Sequence, residues 1–191
     1  MRALLALHKA TGEADYLEGA RRAAQLLSTW VVMWDVPLPP QSTLGRLGFR
    51  STGWLACDSP GAGYIHPMGT LCVPELVEMG VLTGDKGFLL AAELLQAGCN
   101  ETVALPGKDW GYAMPGLQEE GALISWWFAD DPMFGHTGFG GRGKGEGNKT
   151  CLPWISAVSV FGYQDLMARY GTTDIPAIGG RARAGDRQAV T

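Results

Sequence analysis

The first 34 residues carry an apolar pattern with the period of amphipathic helices. Apolar side chains recur at alternating spacings of three and four residues, at Leu17, Ala20, Ala24, Leu27, Val31 and Trp34. This spacing places them on one face of an α-helix. The pattern predicts a short helix over about 2–10 and a longer one over 14–34, whose apolar face is wide enough to meet more than one neighbour.

A second stretch of the chain repeats the first. Residues 77–92 (VEMGVLTGDKGFLLAA) match residues 5–20 (LALHKATGEADYLEGA), and a degraded third copy runs from Leu166 to Asp174. Each copy predicts an apolar helix that stops at a glycine, which tolerates positive φ, before a second helix that begins near a carboxylate. A repeated helix–turn–helix unit cannot bury its apolar face alone, so we expect the copies to stack.

The same reasoning predicts further helices over about 67–82, 86–100, 119–129 and 154–170. No segment alternates with the period of a strand between hairpin turns, so the sequence predicts an all-α fold of stacked helical hairpins with little sheet. The predicted domain covers residues 1–175, and the glycine- and arginine-rich residues 176–191 are predicted to be a flexible tail.

The predicted connections are very unequal in length. Two are tight Thr-Gly-acid turns, whereas the other three are long and rich in Trp, Gly, Pro and polar residues, over 35–66, 101–118 and 130–153. Long loops without secondary structure are uncommon in compact domains and are usually functional. The sequence therefore assigns function to the long-loop end of the helical array.

Composition narrows the function classes. Of the 191 residues, 46% are hydrophobic and only 18% are charged, which predicts extensive burial or contact with another surface. The formal net charge of −4 gives no basic footprint for nucleic acid. No apolar run approaches the roughly 20 residues that span a bilayer, and the apolar start of the chain is interpreted as a helix, not a signal peptide.

The four cysteines favour a reducing compartment, and hence a cytoplasmic location. Cys57, Cys72, Cys99 and Cys151 are far apart and form no CxxC pair. Such spacing indicates neither a zinc site nor a disulfide framework, so the expectation is free, mostly buried thiols and no metal.

The hairpin pattern Leu-x-x-x-x-x-Thr-Gly-(Asp/Glu)-x-x-(Tyr/Phe)-Leu-x-x-Ala, joined by long Trp-rich loops, resembles the six-hairpin glycosidase superfamily. The resemblance covers about residues 1–175 and implies an (α/α)6 toroid, in which an inner ring of helices lies inside an outer ring. A full toroid has twelve helices, and six are predicted here. The resemblance therefore implies a partial toroid, namely a C-terminal half or a fragment, and no catalytic motif of the superfamily can be carried over residue by residue.

Candidate residues for carbohydrate chemistry lie in each long loop. In the first, aromatic and polar groups alternate, because Trp54, Asp58, Tyr64 and His66 follow one another closely. Aromatic faces stack on sugar rings, while carboxylates bind hydroxyls. The alternative is that Trp54 packs the loop onto the helices, and His66 is equally well explained as a structural side chain at a helix entrance.

The second and third loops offer further candidates. Trp110 precedes the acid pair Glu119-Glu120, which suits a helix start, although Glu120 also shares a helical face with Trp127. Seven glycines fall within residues 135–147, interleaved with charged residues in a way that is unlike a flexible linker. The predicted polar site of this loop comprises Asp131, His136, Arg142 and Lys149. A phosphate loop is disfavoured because no strand precedes it.

These residues support a hypothesis of glycoside hydrolysis without a metal or organic cofactor. Cleavage of a glycosidic bond commonly needs two carboxyl groups. The predicted catalytic residues are Asp58, Glu120, Asp131 and His66, and the predicted substrate-binding residues are Trp54, Tyr64, Trp110, Trp127, His136, Arg142 and Lys149.

Two rival functions remain open. One is a non-catalytic carbohydrate-binding or scaffold fragment. The other is a lyase or epimerase on the same scaffold, for which Tyr64, Tyr112 and His66 would be the natural residues. The expected partner is a carbohydrate. An open half-toroid would also expose apolar helix faces, which predicts self-association or a missing N-terminal half.

Overall fold

The structure is a computed structural model. It describes residues 1–35, 37, 40, 45–46, 48–57, 64–65, 67–108, 115–116 and 153–183. Of these residues, 69% are helical, which agrees with the predicted all-α class. The helices are α1 (Arg2–Thr11), α2 (Ala14–Ser28), a 3-10 helix (Pro67–Cys72), α3 (Val73–Thr83), α4 (Lys86–Glu101), α5 (Pro153–Tyr170) and α6 (Ile175–Arg183).

Three helical hairpins, meaning two consecutive helices joined by a tight turn, are present in the described residues, namely α1–α2, α3–α4 and α5–α6. In the third, α6 packs on α3 and α4. Each hairpin is closed by a glycine at the end of its first helix, with φ of 74° at Gly12, 72° at Gly84 and 67° at Gly171. The N–H of each glycine donates to the carbonyl four residues earlier, at 2.8, 3.0 and 2.9 Å respectively. The repeated turn, including its third copy, is confirmed.

Carboxylates begin the second helices of the later hairpins. Asp85 accepts a hydrogen bond from Gly87 N (2.8 Å), and Asp174 accepts one from Ala177 N (3.0 Å). These bonds satisfy amides that have no partner within the helix. The turn signal in the sequence therefore has a direct physical basis in both the glycine and the acid.

The core lies between the hairpins, and α3 is its centre. Every residue from Val73 to Gly80 is buried. Large side chains from all three hairpins meet there, including Leu5, Leu76, Leu95 and Ile178. The middle hairpin therefore holds the array together.

Three predicted element boundaries are corrected. The helix predicted over 14–34 ends at Ser28, because Val31 and Val32 leave the helix to pair with the first long loop. The start of the helix predicted over 67–82 is a 3-10 helix as far as Cys72. The first loop contains a short antiparallel pair, β1 (Ala56–Cys57) with β2 (Tyr64–Ile65).

The flexible tail predicted for 176–191 is wrong for residues 176–183. Helix α6 occupies them, and Ile175 and Ile178 are 0% and 1% exposed within the common core. Two isoleucines spaced by three residues provide a short apolar face that outweighs the helix-weakening Gly179-Gly180 pair. The helix predicted over 119–129 and the third loop, 130–153 apart from its last residue, lie outside the described residues.

Candidate functional site

The long-loop end is built by a backbone pairing between the end of the first hairpin and the first loop. Val32 N donates to Trp54 O (2.9 Å), and Gly53 N donates to Val32 O (2.8 Å). A bridge between Val31 and Leu55 continues this pairing. The β-branched valines suit this extended conformation, and the pairing ties residues 48–57 to the end of α2.

The same loop is seated on α4 through a glycine pair. A Cβ atom on Gly98 would overlap the carbonyl group of Gly53, and a Cβ on Gly53 would overlap the carbonyl group of Leu94. Gly53 also has φ of 90°, which favours glycine. Both glycines are thus needed for the loop backbone to lie directly on the helix.

The side chain of Trp54 is buried beneath this loop, next to Phe49. It is 5% exposed, and its ring lies 5.3 Å from that of Phe49 at an interplanar angle of 45°. Its Nε1 is buried without a hydrogen-bond partner in the described part of the chain. Burial favours the packing interpretation of Trp54 over sugar stacking, which needs an open ring face.

An ordered polar cluster lies beside this loop, around Asp35. Its Oδ1 accepts hydrogen bonds from Thr52 N (3.0 Å) and Thr52 Oγ1 (2.7 Å), and its Oδ2 accepts one from Arg50 Nε (3.2 Å). These bonds, those of Thr52 first, hold the pKa of Asp35 below its ordinary value. Asp35 is therefore suited to binding a hydroxyl or cation as a carboxylate, and unsuited to donating a proton.

The cluster continues to the end of α4. Arg50 N donates to Glu101 Oε1 (3.3 Å), and Lys108 Nζ lies 3.6 Å from the same oxygen. The side chain of Arg50 is 69% exposed, so its guanidinium remains accessible from solvent while it contacts Asp35. Both charge signs are thus presented within one short stretch of surface.

Exposed apolar side chains precede the cluster in the chain. Trp30, Met33 and Trp34 are 44%, 47% and 67% exposed. The backbone carbonyl of Trp34 accepts from Ser51 Oγ (3.3 Å), which fixes its position next to Asp35. The sequence had placed Trp34 on the apolar face of a helix. The structure instead leaves most of its side chain open at the long-loop end.

Most of the predicted site residues lie outside the described residues. Tyr64 lies on β2, of which the backbone is described. Outside the described residues lie the predicted catalytic residues Asp58, His66, Glu120 and Asp131, and the predicted binding residues Trp110, Trp127, His136, Arg142 and Lys149.

A buried ionic cluster between α1, α3 and α5 was not predicted. Glu75 Oε1 accepts from Arg2 Nε (2.6 Å) and Arg169 Nη2 (3.0 Å), and Glu78 Oε2 accepts from Arg169 Nη1 (2.7 Å). Lys9 Nζ lies 2.6 Å from Glu78 Oε1. Glu75 and Glu78 are 2% and 6% exposed. Two glutamates three residues apart within the apolar stretch of α3 were the sequence signal for this cluster.

The cluster has the character of a clamp between helices. Asp165 completes it, with Arg2 Nη2 at 3.1 Å and Arg169 Nη2 at 2.7 Å from its Oδ2. Each carboxylate of the cluster contacts at least one arginine or lysine, so the cluster joins α1, α3 and α5 through ion pairs. The groove over the cluster has a volume of only about 100 Å³, below the roughly 300 Å³ of small ligand pockets.

A larger groove lies at the tight-turn end, between α3, α4 and α6. Its volume is about 290 Å³, and Gly80, Thr83, Leu89 and Gly179 are among the residues that line it. Among the described residues that line the groove, Lys86 contributes a charge and none is a carboxylate. The described lining of this groove therefore offers no pair of carboxyl groups for glycoside hydrolysis.

The described residues contain neither a candidate metal site nor a helix that could span a membrane. No three His, Cys, Asp or Glu side chains gather there in a way that could hold a metal ion. None of the described helices is both long and apolar enough to cross a bilayer. Cys72 and Cys99 form no disulfide within the described residues, and burial raises the pKa of Cys72.

Comparison with known proteins gives no assignment. No family model, no curated protein and no solved structure matches this chain.

Proposed function

We propose that this chain is a carbohydrate-active protein whose hairpins form part of an (α/α)6 toroid, and that it hydrolyses glycosidic bonds at its long-loop end. The observation that carries the proposal is the exposed indole of Trp34, 67% open, next to the Asp35–Arg50 pair. An open aromatic face packs against the apolar face of a sugar, and flanking charged groups bind its hydroxyls.

The array explains why such a surface forms at this end. Glycine turns close the three hairpins at one end, whereas the described parts of the long connections gather at the ends of α2 and α4. A rigid helical scaffold that presents long loops is a common arrangement for binding and catalytic sites. The proposal assigns substrate binding to this surface and the chemistry to carboxylates of the neighbouring loops.

The proposed acid and base come from Asp58, Glu120 and Asp131, with His66 as a proton carrier. Two of these carboxyls would flank the glycosidic bond, one protonated and one ionised. Asp35 is excluded from the acid role because its hydrogen bonds lower its pKa. Its proposed role, with Arg50, is to orient the sugar.

Activity is tested on a panel of oligo- and polysaccharides by the release of reducing ends. The variants are Asp58→Asn, Glu120→Gln and Asp131→Asn, with Glu119→Gln as the matched control at the same predicted helix start. We expect the parent to release sugar and at least one variant to lose about 100-fold or more, since general acid–base catalysis contributes that much. An inactive parent, or full activity in all three variants, would contradict hydrolysis.

The binding surface is tested separately. Trp34→Ala should weaken glycan binding by about 1 kcal/mol, the typical contribution of one aromatic contact. Leu26→Ala is the control, because Leu26 is equally open, 64% exposed, and lies on α2 outside the polar cluster. Isothermal titration with the best-bound glycan measures both. Equal affinities for Trp34→Ala and the parent would exclude Trp34 from the site.

A non-catalytic carbohydrate-binding module is the second candidate function. It is favoured by the described polar cluster, in which Asp35 and Glu101 both contact cations and hydrogen bonds hold the pKa of Asp35 below its ordinary value. Binding that depends on Trp34, in a parent that releases no sugar from any glycan bound, would select this candidate.

A further inference from the structure

The guanidinium of Arg50 contacts Asp35 through only one of its three nitrogens. Its Nε donates to Asp35 Oδ2 (3.2 Å), and neither Nη1 nor Nη2 has a hydrogen-bond partner within the described residues. The side chain is 69% exposed. The two Nη atoms form a planar pair of charged donors, a geometry that matches two oxygens of one anionic group. Arg50 is therefore held in place at Nε and open at its end.

The carboxylates around Arg50 already have cations beside them. Asp35 accepts hydrogen bonds from both donors of Thr52 as well as from Arg50, and Glu101 Oε1 accepts from Arg50 N and lies 3.6 Å from Lys108 Nζ. The formal charges of Asp35, Glu101, Arg50 and Lys108 sum to zero. An incoming anion therefore meets a locally neutral surface on which the Nη pair of Arg50 offers charged donors.

The open indole of Trp34 lies beside this guanidinium. Ser51 Oγ donates to the backbone carbonyl of Trp34 (3.3 Å), and Arg50 contacts Asp35, the next residue after Trp34. The two side chains therefore start from neighbouring stretches of backbone, and both are about two-thirds exposed, Trp34 at 67% and Arg50 at 69%. A sugar ring on the indole would have a charged ring substituent on the side of Arg50.

We propose that this surface selects sugars that carry an anionic group, a uronate carboxylate or a sulfate ester, and that Arg50 is the specificity-determining residue. The inference rests on the proposed function, because it names the substrate class of the same surface. Trp34 packs against the sugar ring, the Nη atoms of Arg50 donate to the anionic group, and Asp35 accepts a hydrogen bond from a hydroxyl of the same sugar.

The charge of the whole chain makes this selectivity local. The formal net charge is −4, so the summed field of the protein repels anionic polymers instead of attracting them. A preference for anionic glycans would therefore have to come from a specific contact. This makes Arg50 the residue on which the preference should depend.

Isothermal titration of the parent chain tests the substrate class with matched pairs of glycans. Oligogalacturonate is compared with its methyl ester, which keeps the sugar and removes the charge, and dextran sulfate is compared with dextran. We expect the anionic member of at least one pair to bind at least tenfold more tightly. A preference in the first pair identifies the carboxylate, and a preference in the second identifies the sulfate.

Variants then test whether Arg50 is responsible. Arg50→Gln should abolish the preference for the anionic member, and Arg50→Lys, which keeps the charge and loses the paired donors, should reduce it and serves as the second variant if Arg50→Gln does not fold by circular dichroism. Arg22→Gln is the matched control. Arg22 Nε also donates to a carboxylate, Glu18 Oε1 (3.0 Å), and its side chain is 75% exposed on α2. The preference should be unchanged in this control.

The outcomes separate this inference from the proposed function. Equal affinity for both members of each pair, with binding that still depends on Trp34, would overturn the anionic substrate class and leave a carbohydrate surface standing. A preference that survives Arg50→Gln, or that Arg22→Gln reduces equally, would show that Arg50 does not determine it. If the parent binds none of these glycans and none of the wider panel, both proposals are wrong.

Discussion

Asp35 is a single residue whose ionisation depends mainly on its neighbour Thr52. Its pKa lies below the ordinary value of 3.8 because it accepts hydrogen bonds. The hydroxyl of Thr52 has the largest effect, followed by the Thr52 amide and Arg50. A carboxyl group whose pKa is lower in the folded state than in the unfolded state stabilises the fold. This contribution is complete above the unfolded pKa and is lost as the pH falls through the folded pKa. Acid should therefore remove the stabilisation that Asp35 gives to the long-loop end.

We predict that Thr52→Val raises the pKa of Asp35 towards 3.8, because it removes the strongest hydrogen bond while keeping the shape of the side chain. Carboxyl ¹³C titration by NMR measures the change. Thr29→Val is the control, since the Thr29 hydroxyl donates to Leu26 O, away from Asp35. A pKa of Asp35 that is the same in Thr52→Val and the parent would show that Thr52 is not responsible.

At Gly98, the absence of a side chain allows the backbone of the first loop to lie directly on α4. We predict that Gly98→Ala lowers the free energy of unfolding by about 2 kcal/mol, because overpacking against the Gly53 backbone outweighs the better helix propensity of alanine. Gly180→Ala on α6 is the matched control. A Cβ there meets nothing within 4 Å, so it should stabilise by up to about 1 kcal/mol. Urea unfolding compares the two, and similar effects would contradict the close contact.

The Thr-Gly-acid turn was the element that the sequence predicted best, because its cause is local. We predict that Gly84→Ala lowers the free energy of unfolding by about 1–2 kcal/mol, since φ of 72° disfavours a Cβ. Gly84→Asn should cost less, because asparagine tolerates this conformation. Nothing lies within 4 Å of that Cβ, so the loss would be purely conformational. Equal losses for Ala and Asn in thermal or urea unfolding would argue against this cause.

Helix ends that depend on distant residues were predicted less well. The apolar spacing through Val31 and Trp34 continued the helical period, but Val32 hydrogen-bonds to Gly53 and Trp54, more than 20 residues away. Helix α6 was missed because its stability comes from the burial of Ile175 and Ile178 in the common core. A sequence window contains the local propensity and omits both of these tertiary contributions.

The candidate site was predictable only in outline. Loop length and composition indicated which end of the array carries function, and Asp35 belonged to the first long loop, whereas Trp34 was assigned to the helix before it. The contact of Asp35 with Thr52, the seating of Gly53 on Gly98 and the burial of Trp54 all join positions far apart in the chain. Their pairing depends on how the loop packs on α4, which no spacing rule gives.

At the scale of the molecule, the described helices form a short repeat array whose core is centred on the middle hairpin. Helix α3 contributes buried residues along nearly its full length, whereas α1 and α5 each leave one side open. In such arrays, the stability of a unit depends on the interfaces with its neighbours. Destabilising the middle hairpin should therefore destabilise both outer hairpins, whereas destabilising one outer hairpin should affect the rest of the array less.

Hydrogen exchange by mass spectrometry tests this dependence. We predict that Leu76→Ala, which empties a fully buried position of α3 at a cost of about 2–5 kcal/mol, accelerates amide exchange in all three hairpins. Leu27→Ala is the matched truncation on α2, at a partly buried position that packs against the same core, and should accelerate exchange mainly in α1 and α2. If Leu76→Ala affects α3 and α4 alone, the hairpins open independently, and the stacking expected from the repeated turn does not make them one cooperative unit.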